Sequence, residues 1–445
     1  MSLSYLFPLD EPGLLVPRSP WALDLSADHL NVYGARRGTP TFARASEGLM
    51  RTSEGRVLVA VHSQPRTEYF DLDGDGIFET PALCFDGART NIQPYGADWS
   101  QATLTNVTRT TNADSLGQLV FTKLNDADAV NQGVAILPNL TPALTVNGNG
   151  AVLVWFAAPD VTSVGGTNLQ LHDVTTPASR GGVNVTWSAG AGAGVATITA
   201  NGGATLLWQR QIGVTAGGRR VYEAAFKPTG TLAASQHAFR CVPAATAAQT
   251  GDAYIGWVSV ENVTTYPMPM VRNLTASSQA YVAETWALPF DALPQPMTLY
   301  VDMIENGTRY EASGVDILSV SNATPTNPRL AIETVGNGAY QVIHHNGTSS
   351  VVAAAVAVPN VGQRVQIYAT MAANGAVSIE QSIAGGAWSA VVTSGALTPA
   401  GSGWSGFSGS TNVYLGHPFA NRQSLRLRRA RVGLGVVSRA DTVGS

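Results

Sequence analysis

Three aspartates at alternate positions form the most distinctive chemical pattern of the chain. Asp71, Asp73 and Asp75, followed by a glycine, match positions one, three, five and six of a calcium loop, in which oxygens converge on a hard cation. Position twelve, normally a bidentate glutamate, is Ala82, although Glu79 stands at position nine. Two interpretations stay open: a calcium site formed by these aspartates with Glu79, or a solvated turn that needs only Asp and Gly.

Paired carboxylates for sugar hydrolysis are the next chemistry to consider. A glycosidase needs two carboxyl groups about 5–9.5 Å apart. The closest pair on one strand of the C-terminal region is Asp302 and Glu305, and the pattern predicts exposed charges beside a surface turn. The chain lacks G-x-S-x-G, H-E-x-x-H and C-x-x-C motifs, and the adjacent His344 and His345 would point to opposite faces of a strand. The sequence therefore favours a protein without a catalytic centre.

Tryptophans could bind sugars by stacking on a pyranose ring. Trp388 and Trp404 are flanked by Gly, Ala and Ser, so they are the candidates for an exposed glycan site. Five others lie in or beside apolar runs, which is typical of core positions. These five are Trp99, Trp155, Trp187, Trp208 and Trp257.

An arginine cluster lies close to the C-terminal end of the sequence. Its members alternate with Leu425 and Leu427, a pattern that predicts a strand with one charged face. Arg422, Arg426 and Arg428 are the candidates for a salt-bridged interface with another subunit. Nucleic-acid binding is not expected, because the net charge is −4 and no aromatic residues alternate with the arginines.

The elements that must carry these side chains are strands and turns. Only 13% of the residues are charged and 46 are glycines, a balance typical of an all-β protein with many turns. Around the aspartates the pattern predicts a hairpin, with strands at 66–70 and 77–85 and a tight acidic turn at 71–76. Cys84 and Cys241 lie in separate apolar runs, which favours buried free thiols over a disulfide.

Three regions follow from the order of the patterns. Residues 1–92 hold scattered prolines, which indicate an extended arm, and then the hairpin. The arm either docks on a neighbouring subunit or straps over its own domain. Residues 93–273 and 274–445 show short apolar or alternating runs at the spacing of two β-sandwiches. Neither a signal peptide nor a membrane span is expected, because no charged-then-apolar leader and no run of about 20 apolar residues is present.

The segment from residue 41 to residue 91 resembles a block of phage virion proteins of the tail-fibre, tail-tip and capsid-accessory kind. In that family the block reads TFTRAS, then PR, then EGARTN, ahead of lectin-like sandwiches. Asp86 stands where the family usually has Glu, which keeps the charge but shortens the reach. The matching residues are Thr41-Phe42-Ala43-Arg44-Ala45-Ser46, Pro65-Arg66 and Asp86-Gly87-Ala88-Arg89-Thr90-Asn91.

Both sandwiches carry a resemblance of their own. Residues 93–273 resemble the carbohydrate-binding-module-like jelly roll of the same phage proteins, through Asn91, Tyr95 and Trp99 and the closing segment YIGWVSVE at 254–261. Residues 274–445 resemble a laminin-G or concanavalin-like sandwich, through PMTLYV at 296–301 and the ENGT that follows.

The resemblance implies a structural component of the exterior of a phage virion, assembled in the host cytoplasm. Its expected partners are other virion subunits, further copies of itself in a trimer, and a glycan of the host surface. The alternatives are a dedicated sugar-binding receptor-recognition protein and a polysaccharide-degrading enzyme. Calcium at the aspartates is the one cofactor the sequence suggests.

Overall fold

The structure is a computed structural model of the chain, built almost entirely of antiparallel strands, so the prediction of an all-β fold is confirmed. It describes residues 21–27, 32–33, 41–43, 47–60, 66–73, 75, 77–86, 89–144, 150–163, 165–175, 178–188, 194–228, 236–262, 270–281, 285–290, 296–306, 314–321, 328–335, 338–355, 357–397, 411–415 and 424–443.

Eight short strands form the N-terminal part of the described chain. The predicted hairpin is confirmed, since Arg66 pairs with Cys84 and Phe70 pairs with Thr80. Its loop is longer than predicted, because the second strand begins at Thr80 rather than at residue 77. The strands are β1 (Trp21–Ser26), β2 (Val32–Tyr33), β3 (Thr41–Ala43), β4 (Gly48–Arg51), β5 (Val57–Ala60), β6 (Arg66–Phe70), β7 (Thr80–Asp86) and β8 (Arg89–Asn91).

The next twelve strands build the first sandwich. They follow a short 3₁₀ turn (Trp99–Gln101) and form two six-stranded sheets, ordered β10-β11-β20-β13-β18-β17 and β16-β15-β14-β19-β12-β9. Buried side chains such as Val154, Leu169 and Phe239 fill the space between the sheets. The strands are β9 (Thr103–Thr105), β10 (Thr108–Leu116), β11 (Leu119–Asp126), β12 (Val134–Ile136), β13 (Gly150–Ala157), β14 (Thr167–Asp173), β15 (Ala178–Trp187), β16 (Ala196–Asn201), β17 (Thr205–Val214), β18 (Arg220–Lys227), β19 (His237–Val242) and β20 (Gly251–Asn262).

The last twelve strands supply most of the second sandwich, and a short helix α1 (Arg439–Val443) follows them. One sheet contains the path β2-β1-β32-β23-β28-β29-β30, and the other is ordered β27-β26-β25-β24-β31-β22-β3. The strands are β21 (Gln279–Tyr281), β22 (Thr285–Phe290), β23 (Met297–Glu305), β24 (Asp316–Ser321), β25 (Arg329–Thr334), β26 (Tyr340–His345), β27 (Ser350–Ala354), β28 (Arg364–Met371), β29 (Val377–Ile383), β30 (Val392–Thr393), β31 (Thr411–Leu415) and β32 (Ser424–Leu434).

Strands from the N-terminal part complete the second sandwich. β32 pairs with β23 along one edge, and along the other it pairs with β7 in its first half and β1 in its second half. β3 adds to the opposite sheet by pairing with β22. Of the two interpretations of the arm, the pairings of β1 and β3 fit a strap over its own domain, and the predicted boundary at residue 92 does not separate the hairpin from the second sandwich. The physical reason is that β32 would otherwise expose an unpaired edge. The prolines at 8, 12, 17 and 20, from which an extended arm was predicted, lie outside the described residues.

The β4–β5 hairpin covers the outer face of one sheet of the first sandwich. Val57 packs in a cluster with Trp155 and Trp257, whose rings stack with centroids 5.8 Å apart. The backbone N–H of Gln118 donates to the carbonyl of Val57 at 2.7 Å. Gly117 allows this approach, since it has a φ of +66° and a Cβ there would lie 2.4 Å from the Val57 oxygen. The N-terminal part therefore contacts both sandwiches.

Cys84 and Cys241 are free and buried, which confirms the prediction made from their apolar surroundings. Cys84 lies in the second sandwich's sheet and Cys241 in the core of the first. Burial raises the pKa of the Cys84 thiol to about 12, so it stays protonated and unreactive at neutral pH.

Candidate functional site

The loop between β6 and β7 brings the three predicted calcium ligands together. Asp71, Asp73 and Asp75 each place a carboxylate oxygen within 4.8 Å of the others. Asp75 also accepts a hydrogen bond from the backbone N–H of Ile77 at 2.7 Å. The three carboxylates fit part of the roughly six to eight oxygens that calcium takes, and their mutual repulsion favours a bound cation.

The fourth predicted ligand does not join this group. Glu79 is exposed and lies outside the cluster of aspartates, so its assignment as a ligand is corrected. The reason is local, because Phe78 is buried and its neighbour in an extended chain points the opposite way. Ala82, at position twelve of the loop pattern, is fully buried in β7.

A buried ionic cluster fastens the β6–β7 hairpin to β32. Arg66 donates to Oδ2 of Asp86 at 2.6 Å, and Arg426 donates to Oδ1 of Asp86 at 2.8 Å and to Oε2 of Glu68 at 2.7 Å. Arg51 of β4 donates to the other oxygen of Glu68 at 3.1 Å. Burial alone would raise the pKa of Glu68, but Arg426 and Arg51 outweigh it and hold that pKa below its usual range.

The ionic contacts continue into the first sandwich. Two guanidinium groups lie near the ring of Phe70, with Arg51 and Arg210 each 5.8 Å from its centroid. Arg210 donates to Glu223 at 2.9 Å, and the indole N–H of Trp155 donates to the same carboxylate at 2.7 Å. A continuous set of buried and half-buried charged and aromatic groups thus spans the junction between the sandwiches.

Of the three arginines predicted to form a subunit interface, one is unavailable to a partner and another lies outside the described residues. Arg426 is only 2% exposed and is occupied inside its own chain, so it is not available to a partner subunit. Arg428 is half-buried and donates to Asp302 at 3.2 Å. Arg422 lies outside the described residues. The alternation of arginine with leucine had suggested a solvent-exposed face, but β7 and β23 flank this part of β32.

Of the two tryptophans predicted to bind a glycan, the structure describes one. Trp388 is half-buried, and the guanidinium of Arg439 lies 5.2 Å from its ring centroid, so one ring face is taken by its own chain. Trp404 lies outside the described residues. Trp99, Trp155 and Trp257 are buried as predicted, whereas two others are only half-buried against the first sandwich's clusters. These two are Trp187 and Trp208.

Asp302 and Glu305 are not the exposed charges that the sequence predicts. Both are buried, because β23 is an interior strand paired with β28 and β32. Asp302 accepts from Nε of Arg364 at 3.0 Å and from Nη2 at 2.7 Å. Glu305 accepts a hydrogen bond from the hydroxyl of Tyr340. Each carboxylate therefore has a structural partner.

Sequence reasoning missed a carboxyl pair on the second sandwich. Asp316 and Glu333 are cross-strand neighbours on β24 and β25, both at least 98% buried, and Arg329 bridges them at 2.9 and 3.0 Å. Burial is the main cause that raises the pKa of Asp316, to about 6, and it also raises the pKa of Glu333. The two residues are 17 apart in sequence, so no local motif marks them.

Sequence reasoning also missed a polar sheet face on the first sandwich. In β14, Leu169 and Leu171 enter the core, so Asn168, Gln170 and His172 face outward. Gln170 is the direct partner of Arg240 on β19. The strict alternation Asn-Leu-Gln-Leu-His is the signal that could have located this face.

Comparison with known proteins gives structural neighbours only. No family model matches the chain, and no curated protein matches it. Among solved structures, domains LG4-5 of the mouse laminin alpha1 chain are similar at 14% identity and a TM-score of 0.20, covering 68% of this chain and 86% of that one. A GH43 glycoside hydrolase engineered to show endo-xylanase and exo-arabinofuranosidase activity is similar at 10% identity and a TM-score of 0.22, covering 94% and 88%.

Within the described residues, no helix has the length and apolar character needed to cross a bilayer.

Proposed function

We propose that this protein is a non-enzymatic structural component of the exterior of a bacteriophage particle. In this role it joins other virion subunits, as a tail-tip, fibre or capsid-accessory component, and adheres to host glycans. The observation that carries the proposal is the position of the residues that give the virion resemblance. Arg66 and Asp86 pair in the buried cluster that fastens the hairpin to β32.

Asn91, the last residue of the same block, has a comparable part in the first sandwich. Its side-chain amide donates to the carbonyls of Val258 at 3.1 Å and Val271 at 2.7 Å. Its oxygen accepts from the backbone N–H groups of Gln93 and Val260, both at 3.0 Å. The block thus supplies connectors that unite two sandwiches, which suits a protein whose task is to hold and display surfaces.

Labelling of intact particles tests this role. Antibodies raised against the purified chain should decorate the outside of phage particles from the source host, and the chain should be recovered from purified particles by mass spectrometry. Light scattering of the purified protein should give three times the chain mass of 46.4 kDa, because virion geometry favours symmetric oligomers. Purified particles that lack the chain would contradict the proposal.

A dedicated sugar-binding role is the second candidate function, and the polar face of the first sandwich favours it. Amide and guanidinium groups there are the donors and acceptors that sugar hydroxyls and carboxylates need. A glycan array probed with the full chain tests this role. Absence of binding to any glycan on the array would rule out the sugar-binding role.

We also propose that Asp71, Asp73 and Asp75 hold calcium in the β6–β7 loop. The convergence of their oxygens within 4.8 Å supports the assignment. Calcium there would brace the loop of the hairpin that joins the sandwiches.

A further inference from the structure

The outer face of the sheet formed by β14, β15 and β19 is polar, although it belongs to a sandwich with an apolar interior. Asn168 is paired with Asn184 on β15, and Gln170 is paired with Arg240 on β19, so these side chains form adjacent rows on one surface. Asn168 accepts a hydrogen bond from the amide of Asn201 at 3.0 Å. Such a face offers amide and guanidinium groups in fixed positions.

Arg240 differs from its neighbouring arginines because it has no carboxylate partner among the described residues. Its single hydrogen bond is a long one, from Nη2 to Oε1 of Gln132 at 3.4 Å. By contrast, Arg180 pairs with Asp173 and Arg210 pairs with Glu223 in the same sandwich. The charge of Arg240 is therefore not neutralised by a carboxylate of the described chain, and an anion from outside can pair with it.

Other polar groups of the same face are also unpartnered within the described chain. His172 is 6% exposed and its Nδ1 has no hydrogen-bond partner, and the same is true of Nε of Arg240 and the side-chain oxygen of Asn184. Buried polar atoms are normally satisfied, so this part of the sheet holds hydrogen-bonding capacity that the described chain does not use. Burial is the main cause that lowers the pKa of His172, and Arg240 adds to it, so the imidazole is neutral near pH 7.

The groups of this face differ in how far a ligand can reach them. Asn168, Asn184 and Arg240 are half-buried, whereas Gln170 and His172 are each only 6% exposed. Gln170 packs closely against Gly182, where a Cβ would lie 2.6 Å from the Cβ of Gln170. A ligand would therefore contact Arg240 and the two asparagines.

We propose that this face binds an acidic polysaccharide, with the anionic group of a sugar on Arg240 and its hydroxyls on the amides of Asn168 and Asn184. The inference deepens the proposed glycan adhesion and rests on it. The planar fork of arginine matches a carboxylate with two parallel hydrogen bonds, and it also accepts a phosphate. A nucleic acid fits less well, since one unpaired arginine does not provide the row of cations that a phosphate backbone needs.

Binding of the full chain to immobilised polymers at about 0.15 M salt tests the proposal. The arms are polygalacturonate, dextran phosphate, neutral dextran and single-stranded DNA. The expected result is binding to one or both acidic polymers of the first two arms and not to dextran or DNA. Arg240→Gln should weaken that binding about tenfold or more, the effect of losing a charge-assisted pair.

Arg220→Gln is the matched control, because it removes the same charge from a half-buried arginine on the other sheet of the first sandwich. It should leave binding unchanged. Asn168→Asp provides a second variant that keeps the oxygen accepting from Asn201 but adds a repelling charge, and it should also weaken binding. Thermal unfolding checks that each variant is folded.

Three results would overturn the proposal. Equal losses in the Arg240 and Arg220 variants would show a charge effect without a site. Binding to neutral glycans or DNA alone would also overturn it, and in the neutral-glycan case the proposed adhesion would stand. Binding to none of the four polymers would remove this site, while the glycan array would still decide glycan adhesion and particle labelling would decide the virion role.

Discussion

Arg426 and Asp86 lie in hydrogen-bond contact inside the protein, with Nη1 of the arginine 2.8 Å from Oδ1 of the aspartate, although 340 residues separate them. Both side chains are nearly inaccessible to solvent. The contact joins the end of the hairpin to the last strand of the chain. β7 and β32 are neighbours in one sheet, and the ionic cluster lies where they pair.

Removal of Arg426 should destabilise the protein strongly. Arg426→Ala leaves Asp86 and Glu68 buried with fewer cations, and breaking such a buried pair costs roughly 3–5 kcal/mol. Arg428→Ala is the matched control on the same strand, since Asp302 keeps both hydrogen bonds from Arg364, and it should cost about 1 kcal/mol or less. Denaturant unfolding measures both, and similar losses would contradict the assigned role of the cluster.

The second sandwich should depend on the N-terminal strands. A fragment of residues 274–445 lacks β1, β3 and β7, so it exposes one edge of β32 and of β22. We expect this fragment to be aggregated or unfolded alone, and to become soluble when residues 21–91 are co-expressed. Circular dichroism and size-exclusion chromatography measure this, and a stable monomeric fragment would count against the shared sheet.

The carboxyl pair on β24 and β25 predicts a pH dependence of stability. The pKa of Asp316 is raised to about 6 in the folded protein, from its ordinary value of 3.8. Between these two pH values the folded state keeps a proton on Asp316 that the unfolded state has released. The pair therefore destabilises the fold as the pH rises from about 4 to about 6.

Asp316→Asn should consequently raise the free energy of unfolding at pH 7 by roughly 1–3 kcal/mol and change it little at pH 4. Asp128→Asn is the control, because the side chain of Asn131 lowers the pKa of that exposed carboxyl, so its substitution should give no gain at pH 7. Unfolding curves at the two pH values decide the matter. A loss of stability at pH 7 in the Asp316 variant would refute the predicted sign.

Calcium should stabilise the β6–β7 hairpin. Millimolar calcium should raise the melting temperature by roughly 2–4 °C, as expected for a ligand that binds only the folded state. Asp73→Asn should abolish the shift, and Asp128→Asn, in the first sandwich, should preserve it. An identical melting temperature in calcium and in chelator would leave the aspartates as a solvated turn.

Local patterns in the sequence were sufficient to predict where strands lie, but not which strands pair with one another. The hairpin at Arg66–Phe70 and Thr80–Asp86 was predictable because Asp and Gly fit its loop and apolar residues flank it. The pairing of β1 with β32 was not, since the register of strands some 400 residues apart leaves no local trace. The buried state of Arg426 follows from that pairing, and so it was missed too.

The candidate sites divide in the same way. The aspartate cluster could be found because its three members are neighbours in sequence. Arg240 and Gln170 are brought together by adjacent strands, and the absence of a carboxylate partner for Arg240 becomes visible only when the sheet is assembled.

A low-resolution electron cryomicroscopy map of the assembled phage particle tests the central claim most directly. We expect density for this chain on the outside of the particle, in three copies around a symmetry axis, with both sandwiches joined through the hairpin. A complete map of the particle in which no external density fits this chain would contradict it.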